Sequence, residues 1–158
     1  GVFVHCQGII GNSAQIQRGE GIANTIEKDD KWEKAADVPC DWDASKAVNT
    51  VDDYLAQYGD DLKAVICDND DMSVACKVAC IEAGREDIVV IGVDAIDSAL
   101  QMVSTGELNA TVFQDGTGQG AGAAELALKI AKGETVEQFN WIPFVLITSE
   151  NISDYYNG

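Results

Sequence analysis

The chain has 158 residues, 46% hydrophobic and 23% charged, enough for one domain with a core of its own. Ten lysines and arginines face 27 aspartates and glutamates, and the net charge of −17 repels phosphate backbones and anionic headgroups, which argues against nucleic acid and bare membrane as partners. No apolar run approaches the ~20 residues of a membrane span, so direct membrane insertion is not expected.

Fifteen glycines against two prolines favour an element-rich α/β chain. Residues 2–6, Val-Phe-Val-His-Cys, already read as a strand with no signal peptide before them. A native N-terminus rarely starts inside a core strand, so a mature fragment is expected. Ser13 is placed to cap a helix over 13–29, in which Ile16, Ile22 and Ile26 recur at helical spacing. A strand over 34–40 leads to a helix over 44–58, where Ala47, Val48, Val51, Tyr54, Leu55 and Tyr58 share a face. A strand over 63–67, continuously apolar from Ala64 to Cys67, precedes a helix over 71–83, with Asp70 or Asp71 as its cap and Gly84 at its stop. Strand 88–93, helix 97–105 ending at Gly106, strand 109–113, helix 118–132 ending at Gly133, and strand 142–148 complete the series. This alternation predicts an α/β fold: an open, mostly parallel sheet with helices on both faces, Rossmann-like or flavodoxin-like.

In such a sheet, ligands bind beyond the carboxyl ends of the strands. Those ends carry Gln7-Gly8, Asp41-Trp42-Asp43, Asp68-Asn69-Asp70-Asp71, Asp94 and Gln114-Asp115. Asn and Gln pair a donor with an acceptor, Asp accepts two bonds, and adjacent sugar hydroxyls need that mixture. Trp42 offers an apolar ring face and Arg18 a rigid fork of donors. Taken singly, each of these residues reads as well as a turn or cap residue; the row with Arg18 and Trp42 reads as a site.

The series Gly8-Ile9-Ile10-Gly11-Asn12-Ser13-Ala14 with Arg18-Gly19-Glu20-Gly21, Asp41-Trp42-Asp43, Asp68-Asn69-Asp70-Asp71-Met72, Val90-Ile91-Gly92-Val93-Asp94, Gly106 to Gln114 and Glu150-Asn151-Ile152 resembles the type I periplasmic sugar-binding proteins for ribose, galactose and glucose. The likeness runs in order over nearly the whole chain. It implies the carboxyl-terminal lobe of a solute-binding component of a sugar ABC transporter, binding a monosaccharide or polyol without chemistry or cofactor and delivering it to a permease. It also implies a periplasmic or extracellular location, with a lipid anchor in a Gram-positive bacterium. By the same resemblance, Arg18 donates to sugar oxygens, Trp42 stacks on the ring, Asn69 makes paired bonds to hydroxyls, and Asp94 accepts from two of them. Gln114 stands at the hinge crossing, where ribose binders carry Gln; the tryptophan at position 42 departs from the Phe usual in ribose binders.

Family members are about twice as long. The resemblance therefore assigns residues 1–114 and 144–158 to the present lobe and 115–143 to an amino-terminal lobe that is otherwise missing. Leu126 and Ile130 of helix 118–132 are then expected to be exposed, repacked, or covered by the missing lobe or a second copy of the chain. The same fold also serves ligand-sensing domains of repressors and receptors, and that is the alternative function.

Other motifs compete. Gly118-x-Gly120-x-x-Ala123 with Glu137 downstream has the spacing of a dinucleotide loop, but reads better as a glycine-rich crossover. Asp68, Asp70 and Asp71 lack the Gly and terminal Glu of a calcium loop. Cys76 and Cys80 lie on one helix face, and with His5 the only histidine no zinc set is visible, so no metal is expected. Gly11-Asn12-Ser13-Ala14-Gln15 lacks the second glycine of a nucleophile elbow, so no catalytic residue is assigned. His5 reads as structural. The five cysteines, odd in number and irregular in spacing, read as small buried hydrophobes in a reducing or anaerobic setting.

Overall fold

The structure, a computed structural model, describes residues 1–26 and 28–156. Glu27, inside the helix expected over 13–29, and Asn157 and Gly158, at the end of the lobe expected over 144–158, lie outside the described residues. Six strands, β1 (Val2–Gln7), β2 (Glu33–Pro39), β3 (Leu62–Cys67), β4 (Val89–Asp94), β5 (Ala110–Phe113) and β6 (Val145–Ile147), form one sheet in the order β2-β1-β3-β4-β5-β6. The first five are parallel, and β6 pairs antiparallel with β5. The strand expected over 142–148 thus shortens to three residues at a sheet edge, beginning after Pro143, which has no N–H to give a ladder.

Helices α1 (Ser13–Ile26), α2 (Ala44–Tyr58), α3 (Asp70–Glu82), α4 (Asp97–Thr105) and α5 (Gly116–Ala131) connect the strands. Side chains alternate across each strand, so the two faces of the sheet meet different partners. Val4, Cys6, Val65, Cys67 and Val90 pack with Val51, Met72, Cys76, Leu100 and Val103 of α2, α3 and α4, which stand side by side on one face. Each fully buried residue of the size of Leu62, Ile88 or Ile147 contributes about 1.5–3 kcal/mol. Phe3 and His5 alternate with Val4 and Cys6 and turn to the other face, where α1 lies. That face is only partly covered. A groove of about 620 Å³ runs between α1 and the sheet, lined by Ile22, Ile26, Ile66, Ile91, Val93 and Phe144.

Two caps differ from expectation. Ser13 already lies inside α1, whose cap is Asn12: its carbonyl accepts from Ile16 N at 3.0 Å and its Oδ1 from Ala14 N at 2.9 Å. On α3 the cap is Asn69, with extended backbone and Oδ1 accepting from Met72 N at 3.2 Å. Asp70 and Asp71 stand in the first turn, where negative charge suits the helix dipole. In both cases the true cap is one residue earlier; at Asn69 the extended backbone of the incoming loop leaves the side chain free to cap.

α5 alone among the five helices buries none of its residues. Like α1 it makes no extensive contact with another helix or strand, but α1 buries Gln15 and lines the groove against the sheet. The nearest packing partner of α5 is the coil that follows it, where Asn140 and Ile142 lie over Gly122.

Candidate functional site

The strand order reverses at β1 and β3: β1 leads to β2 on one side, and β3 continues toward β4 on the other. Loops leaving β1 and β3 therefore part, opening a crevice at the carboxyl end of the sheet. Arg18, one turn into α1, crosses that crevice. Its Nη1 donates to the backbone carbonyl of Asp68, after β3. Its Nη2 donates to Gln114 Oε1 at 3.1 Å, after β5, and stands 3.8 Å from Asp94 Oδ1 at the end of β4. Its Cζ is 5.8 Å from the centre of the Trp42 ring, after β2, within cation–π range. One guanidinium thus gathers groups from four strand ends. Asn69 is buried one residue beyond the carbonyl that Arg18 holds. All five residues singled out in the sequence converge on one sheet edge.

The loops that present them carry unusual backbone. Asp41, Trp42, Asp94 and Ala95 have φ of 56°, 65°, 124° and 61°, a region that non-glycine residues rarely adopt. Such conformations persist only where the surroundings fix them. Around Trp42 that support is close packing: the ring lies directly on Gly8, and a β-carbon there would collide with it. Lys46 Nζ, 2.5 Å from Asp41 Oδ2, and the Asp43 side chain, accepting from Lys46 N at 3.0 Å, tie the same loop to α2.

The loop at Asp94 and Ala95 is held from beneath by Asp70. Its Oδ2 accepts from Ala95 N at 2.7 Å and Ile96 N at 3.2 Å. Thr111 Oγ1 lies 2.7 Å from that oxygen, and Ser73 Oγ bonds Oδ1 at 3.2 Å. Gly92 is required here, because a methyl group would strike both the Asp70 carboxylate and the Ser73 hydroxyl.

A second support lies under the β1 and β3 ends. His5 is fully buried, with Nδ1 2.8 Å from Asp37 Oδ1 and Nε2 2.9 Å from Asp68 Oδ1. Burial opposes charge on this ring, but hydrogen bonds to Asp68 and then Asp37 outweigh it and raise its pKa. With a carboxylate at each nitrogen, the protonated ring satisfies both. Asp68 Oδ2 accepts from Gly8 N at 2.8 Å, so His5 and Asp68 together set the loop that carries Trp42's floor.

The exposed rim that remains is rich in hydrogen-bonding groups. The Gln114 oxygen accepts from Arg18 and the Asn69 oxygen accepts from Met72 N, which leaves both side-chain NH₂ groups as donors. Asp94 keeps acceptor capacity, and burial, only partly offset by Arg18, holds its carboxyl above the ordinary range. Donors, a carboxylate acceptor and an aromatic face at one crevice suit a small polyhydroxylated ring. The larger apolar groove beside α1 meets this site only at Arg18, Asp68 and Gln114, and its lining offers little to a polar ligand.

Reading the sequence alone missed the scaffold roles of Asp68 and Asp70. Both follow the apolar run from Ala64 to Cys67, a signal that marks a turn but not its partners. Their carboxylates are engaged in the bonds above, which makes two of the three acids of the cluster supports for the neighbouring loops. Among the described residues, the side chains whose donor atoms converge as a metal would require are Cys6, Cys67 and Cys76, not Cys76 with Cys80. The glycines at 118 and 120 open α5, where Asp115 Oδ1 takes Gly118 N at 2.7 Å.

Comparison with known proteins agrees with this architecture. An ABC transporter solute-binding protein of Bacillus halodurans, solved with bound myo-inositol, superposes with a TM-score of 0.89 at 35% identity, covering 98% of this chain and 54% of that one. The ribose import binding protein of Escherichia coli is 34% identical over 134 residues, 85% of this chain and 45% of its own length. The xylitol-binding protein of Mycolicibacterium smegmatis is 30% identical over 152 residues, 96% of this chain and 44% of its own. The chain spans about half the length of the relatives it matches. Residues 1–135 match the periplasmic binding protein domain, and the chain belongs to that family.

Proposed function

We propose that this chain is the carboxyl-terminal, ligand-gripping lobe of a solute-binding protein that captures a monosaccharide or related polyol without chemistry and hands it to an ABC transporter permease. The observation that carries this reading is the Arg18 guanidinium, which joins Asp68, Gln114, Asp94 and Trp42 across the crevice. In the proposed complex Arg18 and the amides of Asn69 and Gln114 donate to sugar oxygens, Asp94 accepts from hydroxyls, and Trp42 stacks on the ring. Selectivity follows from pairing: a ligand lacking one hydroxyl leaves a partner unsatisfied, at about 1–3 kcal/mol each. Residues 1–114 and 144–158 form this lobe in our reading, and 115–143 packs on the amino-terminal lobe. The location that goes with the role is the periplasm or the outer cell surface, with a lipid anchor in a Gram-positive host.

The test is calorimetric titration of the full-length gene product with pentoses, hexoses and inositols. Saturable binding to one of them, weakened tenfold or more by Asp94→Ala or Asn69→Ala, supports the reading. Affinity unchanged in both variants removes these residues from the site. No binding of any polyol by the folded two-lobed protein overturns the function.

A further inference from the structure

Cys6 from β1, Cys67 from β3 and Cys76 from α3 turn their sulfurs toward one point in the core. The three Sγ atoms lie within 4.8 Å of one another, with Cys67 and Cys76 at 3.7 Å. All three are buried free thiols. The backbone fixes this meeting: Cys6 and Cys67 are register partners on neighbouring parallel strands, and α3 packs on the face to which both point. A fourth buried thiol, Cys40 after β2, neighbours Cys6 and lies 3.5 Å from Thr50 Oγ1.

These distances match a chelate. A cation bound to three thiolate sulfurs at about 2.3 Å holds them about 4 Å apart. The sulfurs therefore need to move by no more than about an ångström to close on an ion at that bond length. The converging donors are sulfur alone, because His5, the only histidine, turns to the opposite face of the sheet. Sulfur without oxygen or imidazole selects soft cations over magnesium or calcium. Burial of every ligand makes the site closed, the structural kind, with no position left open for chemistry.

We propose that Cys6, Cys67 and Cys76 form a structural site for one soft thiophilic cation of the copper(I), zinc or cadmium class, with Cys40 within reach as a fourth sulfur. A divalent ion that binds here displaces the protons of all three thiols to solvent and forms three metal–sulfur bonds, leaving a complex of net charge −1. The bound ion ties β1, β3 and α3 together directly beneath Gly8 and Asp68, and so stabilises the folded state by mass action.

The test is to refold the reduced protein anaerobically with one equivalent of Cd²⁺ alone and pass it over a desalting column. The expected product retains cadmium, shows the ultraviolet sulfur-to-cadmium charge-transfer band, and melts at a higher temperature than metal-free protein. X-ray absorption on the unmutated protein is expected to show three or four sulfurs around the metal, a reading independent of any variant. Cys80→Ala keeps the band; Cys6→Ala and Cys76→Ala lose it. Native protein that emerges free of cadmium overturns the proposal, as does an oxygen-only metal shell or a band that persists when Cys6 and Cys76 are both alanine.

Discussion

The strand-end crevice and the stretch from Asp115 to Phe144 treat their side chains in opposite ways. At the crevice, buried carboxylates carry two to four bonds each, and among the described residues no buried side-chain nitrogen or oxygen lacks a partner. In the later stretch, α5 buries nothing, Leu128 and Ile130 face solvent, Phe139 and Trp141 stack on each other at 5.6 Å, and Trp141 is 82% exposed. The first region satisfies its buried polar groups internally. The second leaves apolar side chains exposed, as the proposed contact with an amino-terminal lobe would require.

The largest test of this contrast is Asp70→Ala. It strips the acceptor from Ala95 N, Ile96 N and Thr111 in a buried setting. We expect a loss of about 3 kcal/mol in urea unfolding, the scale of a buried polar group left unpaired. Gly92→Ala attacks the same support by overpacking and should cost about 1–3 kcal/mol by the same measurement.

Protonation of His5 gives a smaller, graded perturbation. Its pKa is raised in the folded state, so its contribution is fully present below the unfolded value and is lost as pH rises through the folded value. Stability followed upward from mildly acidic pH should therefore fall through that window, and His5→Phe should flatten the fall; a profile unchanged by the substitution would contradict the charged bridge. The smallest effect is expected in the exposed stretch. Leu128→Ala and Trp141→Ala in this chain should each shift unfolding by less than about 0.5 kcal/mol. In the two-lobed protein the same changes should cost more, and equal small costs in both would remove the interface reading.

Much of this was legible from the sequence, and the reasons differ by residue. Short continuously apolar runs for the strands and Gly84, Gly106 and Gly133 at helix ends mark the elements, because local sterics and burial decide them. The convergence of Arg18, Trp42, Asn69, Asp94 and Gln114 follows from topology, which brings every parallel strand end to one edge. The asymmetry of the sheet was not legible: α1 alone covers one face, and no local pattern tells which face a helix will take. The bridge from His5 to Asp37 and Asp68 spans residues 32 and 63 positions apart, and the sulfur cluster likewise joins three separate elements. Such meetings depend on register, which the hydrophobic pattern constrains only to the correct face.

The four left-handed residues at the loop tips carry a further consequence. Ala95, at φ 61°, would be more comfortable as glycine, and so would Asp41 at 56°. Selection for thermal robustness alone would drift these positions toward glycine and leave the tips supple. Keeping a side chain there holds the tips stiff in the shape that the sugar meets in the proposed complex. Robustness and grip are therefore rival pressures on the same few residues, and a variant library sorted only for heat resistance should enrich glycine at 95 while its binding weakens.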